Sequence, residues 1–392
     1  MVTKEEMEPY LDREHALVKH KLFECYLKRF VMILGRTHER LSYVDAFAGP
    51  WKSVCADYTD TSFGRAVNAI EGCSVTLAKE TGRRPRFRSL LIEAKVSAFS
   101  DLSKYARSVN KSTSIVEAKN LRLQDSVKEI SEWIDPKEKT FILIDPKAYK
   151  GLISPKVLAP LLKNYNVELL INYMWHFITL AIGRTKFNQK HEENMVDLFG
   201  EGYHKFTNLP PVQKEIALVR EYAKRLREEA NITGDNRVRV GMFPVEYAFR
   251  NGTKYYMVYV THNPRGLIAF SEESEKCLNE QRQIKYITGQ KRRECRTAVE
   301  DMFLEAIPEK WGPGEVLQSP WLKVLPNIGS EVVVDQNFWS NLIEDCAYLP
   351  KQLQNDLGSL VKNGVLEVVG ATNKRRSIFV RWKDSEVVRR LM

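Results

Sequence analysis

Two stretches constrain the fold more than anything else in this chain: Tyr43-Val44-Asp45-Ala46-Phe47-Ala48-Gly49-Pro50 and, much later, Phe141-Ile142-Leu143-Ile144-Asp145-Pro146. Each is a short β-branched and aromatic run that breaks into an acid followed by small or rigid residues, as a buried parallel strand does at its carboxyl edge. Open α/β sheets bind ligands at that edge. Glu93 closes the intervening run Ser89-Leu90-Leu91-Ile92-Glu93 and supplies a third strand-end acid, placed where a nucleotide-like ligand offers a ribose diol. Together the three acids point to a site for a nucleoside-containing cofactor.

The rest of the chain is read around that site. With 392 residues, 43% hydrophobic and 10% aromatic, the chain can fill two cores, and two or three domains are expected. No apolar run approaches the roughly 18 residues of a membrane span, and the acidic start Met1-Val2-Thr3-Lys4-Glu5-Glu6 lacks signal-peptide character. A cytoplasmic protein with no membrane contact is therefore expected. The six cysteines are scattered without Cys-x-x-Cys or Cys/His ligand spacing, which argues against disulfides and against a metal site. The formal charge of +10 favours contact with a polyanion.

Strands are expected at 41–47, 87–93, 114–117, 140–144 and 167–173, alternating with helices at about 62–79, 95–108 and 124–134. That alternation calls for a parallel sheet covered on both faces. The runs 255–261 and 266–271 read as a terminal antiparallel pair. The polar stretch at about 184–235, with a break at Pro210-Pro211, reads as a helical insertion placed above the carboxyl edge. Thr81-Gly82-Arg83-Arg84-Pro85-Arg86 reads as a turn with a solvated basic face. Residues 1–275 thus form a Rossmann-like domain, and 276–300 a basic helical connector containing Arg282, Lys285, Lys291, Arg292, Arg293 and Arg296.

Residues 301–392 follow a different grammar. A strand at 332–334, helices at 335–346 and 351–362, and strands at 365–369 and 377–382 give the order of a winged helix-turn-helix. Its helix carries Lys351, Gln352, Gln354 and Asn355, and its hairpin tip carries Lys374, Arg375 and Arg376. Such groups suit phosphate contact and base-edge reading by DNA or RNA. Protein docking is the other use of a domain of this shape.

His15-Ala16-Leu17-Val18-Lys19-His20, the Tyr43–Pro50 motif, Ile144-Asp145-Pro146, Glu168-Leu169-Leu170-Ile171-Asn172-Tyr173 and the 255–262 run occur in the order seen in the three-Cys-motif partner protein family. The chain resembles a divergent member. That family resembles class I S-adenosyl-L-methionine-dependent methyltransferases, and the Lys19-His20, Asp45–Gly49 and Asp145-Pro146 pattern is also similar to ribosomal RNA adenine-N6 methyltransferases. The resemblance implies a class I methyltransferase sheet with S-adenosyl-L-methionine as cofactor. Asp45, Phe47, Ala48 and Gly49 would lie beneath its methionine end, Glu93 would accept its ribose hydroxyls, Asn120 or Leu121 would lie near the adenine, and His20 would approach the cofactor. Asp145 and Pro146 would accept and orient an exocyclic amine, with Tyr149 stacking on the base.

Two departures from the pattern stand out. Lys147-Ala148 separates Asp145-Pro146 from Tyr149, and Trp51 stands where a second glycine is usual. They keep a second reading open: a degenerate scaffold or nucleic-acid-binding subunit working with a three-cysteine-motif partner that resembles radical enzymes, in a mobile-element or phage-defence setting. A nuclease holding Mg²⁺ on Asp45, Glu93 and Asp145 is a third reading, set against these acids being spread across the sheet.

Overall fold

The structure is a computed structural model describing residues 2–49, 53–146, 153–185, 188–249, 251–297, 319–346, 349–371 and 377–392. The short α1 (Lys4–Met7) and a single turn of 3-10 helix lead into α2 (Glu14–Leu34). Five strands alternating with four helices follow: β1 (Arg40–Asp45), α3 (Ser62–Thr81), β2 (Arg86–Ile92), α4 (Val96–Val109), β3 (Ser114–Lys119), α5 (Leu123–Trp133), β4 (Lys139–Ile144), α6 (Pro155–Leu162) and β5 (Val167–Tyr173). These strands pair in parallel in the order β3-β2-β1-β4-β5, and an antiparallel hairpin, β6 (Arg239–Glu246) and β7 (Thr253–Thr261), completes a seven-stranded sheet ending β5-β7-β6.

The buried strands alternate between two cores because successive side chains leave a strand on opposite faces. Tyr43, Phe141 and Leu143 point to a core built with α2, α3 and α4, while Val44, Ile142 and Ile144 point to one built with α5 and α6. Phe141 is fully buried among the rings of Phe23, Tyr26, Phe30 and Tyr43. Truncating such a residue to alanine costs about 3–5 kcal/mol.

Four sequence expectations are corrected. The run 266–271 is not a strand but the start of α11 (Pro264–Thr297). Pro264 suits the first helical position, and the Asn263 side chain accepts from the Arg265 N–H at 2.9 Å. A short apolar run reads alike in a buried helix and a strand. The true partner of β7 is β6, whose Gly241 and Pro244 mask it as a strand; proline is tolerated there because β6 is the sheet edge.

The insertion is also placed differently. It contains α7 (Trp175–Ile182), α8 (Gln189–Phe199), α9 (His204–Thr207) and α10 (Pro211–Ala230). α10 does not sit above the carboxyl edge. Its Leu218, Tyr222 and Leu226 are buried in the second core against α6, and the Tyr222 hydroxyl donates to the Ile153 carbonyl at 2.7 Å. The connector expected from residue 276 is likewise part of the body: α11 packs along α2 and β6, with Cys277, Leu278 and Ile284 buried and Lys285 paired with Glu246. The side chains of Lys291, Arg292, Arg293 and Arg296 lie outside the described residues.

The C-terminal region has its own core and its own sheet. α12 (Pro320–Val324), β8 (Glu331–Val334), α13 (Gln336–Cys346), α14 (Pro350–Lys362), β9 (Leu366–Val368) and β10 (Glu386–Arg390) form a unit whose antiparallel sheet has the order β8-β10-β9. The second strand of the expected hairpin is therefore 386–390, not 377–382. The latter segment is clasped by Gln354, which accepts from Phe379 N and Val380 N at 2.8 and 3.1 Å and donates to Val380 O at 2.7 Å. Gly358 makes this possible, since a Cβ there would collide with the Phe379 ring. Buried Glu344 of α13 caps the sheet edge, accepting from Val240 N at 2.8 Å, Arg227 at 3.0 Å and Arg237 at 2.7 Å.

Candidate active site at the carboxyl edge

β2, β1 and β4 are immediate neighbours, so Glu93, Asp45 and Asp145 leave one edge side by side. They are not spread across the sheet. Among the described residues, no three His, Cys, Asp or Glu side chains group as a metal ion would need. Each acid is instead held by donors of the chain itself.

Asp45 is fully buried. One carboxylate oxygen accepts from the Phe47 N–H at 3.0 Å, an Asx-type turn that sets the path of 46–49, and the other accepts from Ser62 at 2.6 Å and Tyr43 at 3.2 Å. Burial pushes its pKa from 3.8 up to about 6, with the Asp145 charge adding to the rise and the three hydrogen bonds opposing it. Ala48, also fully buried, donates its N–H to the Ile92 carbonyl at 2.8 Å, which fixes the turn against the end of β2. Phe47 and Gly49 are half-buried beside it.

At that strand end Glu93 is buried, accepting from the Lys95 N–H at 2.6 Å. Asn120 donates to the Glu93 carbonyl at 2.7 Å. Asn120 thereby ties the ends of β2 and β3 together, a structural duty beyond the adenine contact expected of it. The loop before α3 is held by its own bonds: Asp60 accepts from Ser53 at 2.5 Å and from Val54 N at 2.9 Å, and Thr61 caps the helix at Gly64 N. Gly64 is required there because a Cβ would overlap the Tyr58 carbonyl.

Asp145 is held by partners from two distant elements. The Lys19 ammonium, from α2, pairs with Oδ2, and Asn172 at the end of β5 donates to Oδ1 at 2.6 Å. Pro146 is buried behind it. Asn172 is 3% exposed, and its remaining acceptor, Oδ1, has no hydrogen-bond partner. Sequence reasoning quoted both Lys19 and Asn172 within motifs but assigned neither a contact with Asp145. The signal lay in their position at a helix face and a strand end, not in any local spacing.

His20 is placed by a different network. Its Nδ1 is 2.8 Å from the Tyr10 hydroxyl, which also accepts from Arg65 at 3.1 Å. Burial, with Lys19, Arg65 and Arg13 nearby, holds the imidazole well below its usual pKa and so neutral. His15 is likewise pushed down to about 3 by burial and by Lys254, whose ammonium lies 2.7 Å from Nε2.

Beyond the end of β5, α7 and the β6–β7 hairpin bring aromatic rings together. His176 meets Tyr247 edge-on at 5.9 Å and Phe177 at 5.5 Å, Tyr247 lies 6.2 Å from Phe249, and Lys254 sits 5.7 Å above Tyr247. Phe177 and Phe249 are 39% and 49% exposed.

Tyr149, Lys147 and Trp51 lie outside the described residues, as do Lys374, Arg375 and Arg376. Of the expected nucleic-acid contacts on α14, Lys351 is exposed but its N–H donates to Glu275 of α11 at 3.1 Å, so the helix start faces α11. Gln352 accepts from Leu349 N at 3.0 Å and Gln354 is buried. Both glutamines are committed within the chain.

Among the described residues no helix is long and apolar enough to cross a membrane. No protein-family model and no curated protein matches the chain. A solved structure of loganic acid methyltransferase with SAH is similar over 74% of this chain and 90% of its own, at 11% identity and a TM-score of 0.30. The strand order, not this likeness, carries the description of the fold.

Proposed function

We propose that the protein binds S-adenosyl-L-methionine at the carboxyl edge of its sheet and transfers the methyl group to an amino group of a nucleic-acid base. The observation that carries this reading is the convergence of Asp45, Glu93 and Asp145 on neighbouring strand ends, each oriented by donors of its own chain. The Rossmann-like sheet is the one that the resemblance to class I methyltransferases implies.

The residues present fit such a cofactor. Glu93 stands beside the 46–49 turn, which Asp45 and the Ile92 carbonyl hold in place, so a ribose diol and a methionine moiety would meet a carboxylate and a fixed backbone turn. The cofactor, when bound, supplies an electrophilic methyl group. Asp145 and the unpartnered Asn172 Oδ1 are acceptors for amine hydrogens, and accepting them frees the nitrogen lone pair from ring conjugation. The exposed rings of Phe177 and Phe249, with Lys254 over Tyr247, suit a planar, electron-rich acceptor. The C-terminal unit, ordered β8, α13, α14, β9, β10, serves in this reading as a winged helix for a nucleic acid or a partner protein.

The occupancy of Asp145 favours a second reading. Both its oxygens are already engaged, by Lys19 and Asn172. An acid so paired suits a catalytically quiet scaffold or nucleic-acid-binding subunit beside a three-cysteine-motif partner.

Calorimetric titration of the full chain with S-adenosyl-L-methionine and S-adenosylhomocysteine separates the two at the first step. Binding that is lost in Glu93→Ala supports the cofactor site, and transfer of labelled methyl to DNA or RNA then supports turnover. Absence of binding sinks the methyltransferase reading and leaves the scaffold.

A further inference from the structure

The sheet has a second end, and it is built from arginine. Arg40 opens β1 and Arg86 opens β2, and the two are direct partners in the parallel register. With Arg83, Arg84 and His38 they line an open cleft of about 430 Å³ whose lining includes one acid, Glu39. All four arginines are exposed. Among the described residues Arg83, Arg84 and Arg86 make no ion pair, and Arg40 reaches only Asp135, at 3.8 Å.

Cations elsewhere in the molecule are treated differently. On α10, Lys224 is paired with Glu221 and Glu228, and Arg225 with Glu228 and Glu229. Like charges placed directly opposite one another in a sheet destabilise it. The Arg40–Arg86 pair therefore bears a cost that Asp135, 3.8 Å from Arg40, offsets only in part, and no ion pair to Arg86 is present among the described residues.

The backbone that carries the cluster is anchored. Gly82, at φ +70°, ends α3 in the left-handed conformation, Pro85 is buried, and the Arg86 N–H donates to the Glu39 carbonyl at 2.8 Å. Gly35, at the end of α2, lets Leu77 and Pro85 pack close, since a Cβ there would crowd both.

We infer that this cleft is a binding site for the phosphate backbone of a nucleic acid. Guanidinium groups present planar forks that match phosphate oxygens, and several fixed in one concavity suit successive phosphates. Pro85 is the apolar residue of the lining, so the cleft has no wall for a base or a metabolite ring, and a free nucleotide would leave its base in water. The formal charge of +10 adds long-range attraction.

The contact is independent of the proposed methyl transfer. β1 carries Arg40 at one end and Asp45 at the other, roughly 17 Å apart at the rise of a strand. A chain gripped at the arginines is anchored without regard to sequence.

The test is fluorescence anisotropy of the full chain with labelled oligonucleotides of about 20 nucleotides, single- and double-stranded, over about 50 to 200 mM salt. Combined Arg83→Ala, Arg84→Ala and Arg86→Ala substitution is expected to weaken binding about 10-fold or more at the lower salt, and to flatten the log–log salt slope by about two. The loss should be equal across unrelated sequences. A thermal melt checks the fold, and if the triple variant is damaged, Arg84→Glu alone, at an exposed loop position, should still weaken binding. Unchanged affinity and slope in both variants would overturn the inference. So would capture of the wild-type chain by phosphatidylserine vesicles with no binding to either oligonucleotide. Loss of oligonucleotide binding in the variants upholds it whether or not the wild-type chain binds S-adenosyl-L-methionine.

Discussion

The two ends of β1 and β2 treat charge in opposite ways. At the carboxyl end Asp45 and Glu93 are buried and each is gripped by a backbone N–H two residues on. At the amino end Arg40 and Arg86 lie side by side in water, and among the described residues the one acid paired with either is Asp135, 3.8 Å from Arg40. A dehydrated charge is costly but has a fixed direction, and its fields are strong because little water screens them. A hydrated charge is cheap and acts over about a Debye length. The same two strands therefore carry a place for oriented chemistry at one end and a place for non-specific attraction at the other.

The sharpest way to break this contrast is to remove an acid from the oriented end. In Asp145→Ala, methyl transfer should fall about 10²-fold or more, because the acceptor of the amine hydrogens is gone. Cofactor affinity should stay near wild type, since Glu93 and the 46–49 turn are untouched. Single-turnover transfer of labelled methyl, beside calorimetry, reads both quantities. Turnover that survives would remove Asp145 from the chemistry and leave it as the structural partner of Lys19.

Asp45 sharpens the same contrast through stability. Its folded pKa of about 6 lies above the ordinary carboxyl value of 3.8. Between those values the folded state holds a proton that the unfolded chain has released, so stability falls as pH rises through the window. Above about pH 6 the buried carboxylate costs on the order of 3 kcal/mol. Asp45→Asn keeps the Oδ1 acceptor for Phe47 N without the charge and turns an N–H donor towards the Ser62 hydroxyl, which can rotate to accept. It should therefore be more stable than wild type at about pH 8, with the difference closing as pH falls towards 4. Urea midpoints across that range test it, and a variant that is less stable at every pH would show the hydrogen bonds to outweigh desolvation.

These two ends were not equally legible in the sequence. The carboxyl end announces itself, because a β-branched run stopping at an acid is a local pattern, and Asp45, Glu93 and Asp145 all lie at strand ends as expected. What holds those acids is not local. Lys19 and Asn172 reach Asp145 from a helix and a strand far away in sequence, and only the strand order brings them together. The edge strand was hidden by Gly241 and Pro244, and the start of α11 imitated a strand because a run of four apolar residues, Leu267 to Phe270, has no resolvable period. In the C-terminal unit Gln354 looked free to read bases, but a polar residue on a buried helix face is bound to find partners within the fold. The arginines at 83, 84 and 86 were legible as a basic turn. That Arg40 faces Arg86 follows only from the register.

The smallest effect tests the cost assigned to that facing pair. Arg86→Gln removes one of two opposed charges while keeping a long, polar side chain at an exposed strand position. Were the arginines there to stabilise the sheet, the substitution would lower stability. The absence of an ion pair to Arg86 among the described residues argues the reverse, because what is removed is repulsion from Arg40. A gain of about 0.2 to 0.5 kcal/mol is expected at low salt, shrinking towards zero near 1 M, where the screening length falls to about 3 Å. Denaturant midpoints of the two chains at both salt concentrations measure it. A loss that persists in high salt would make Arg86 a packing residue, and the amino end would then be less a reserve of free charge than its exposure suggests.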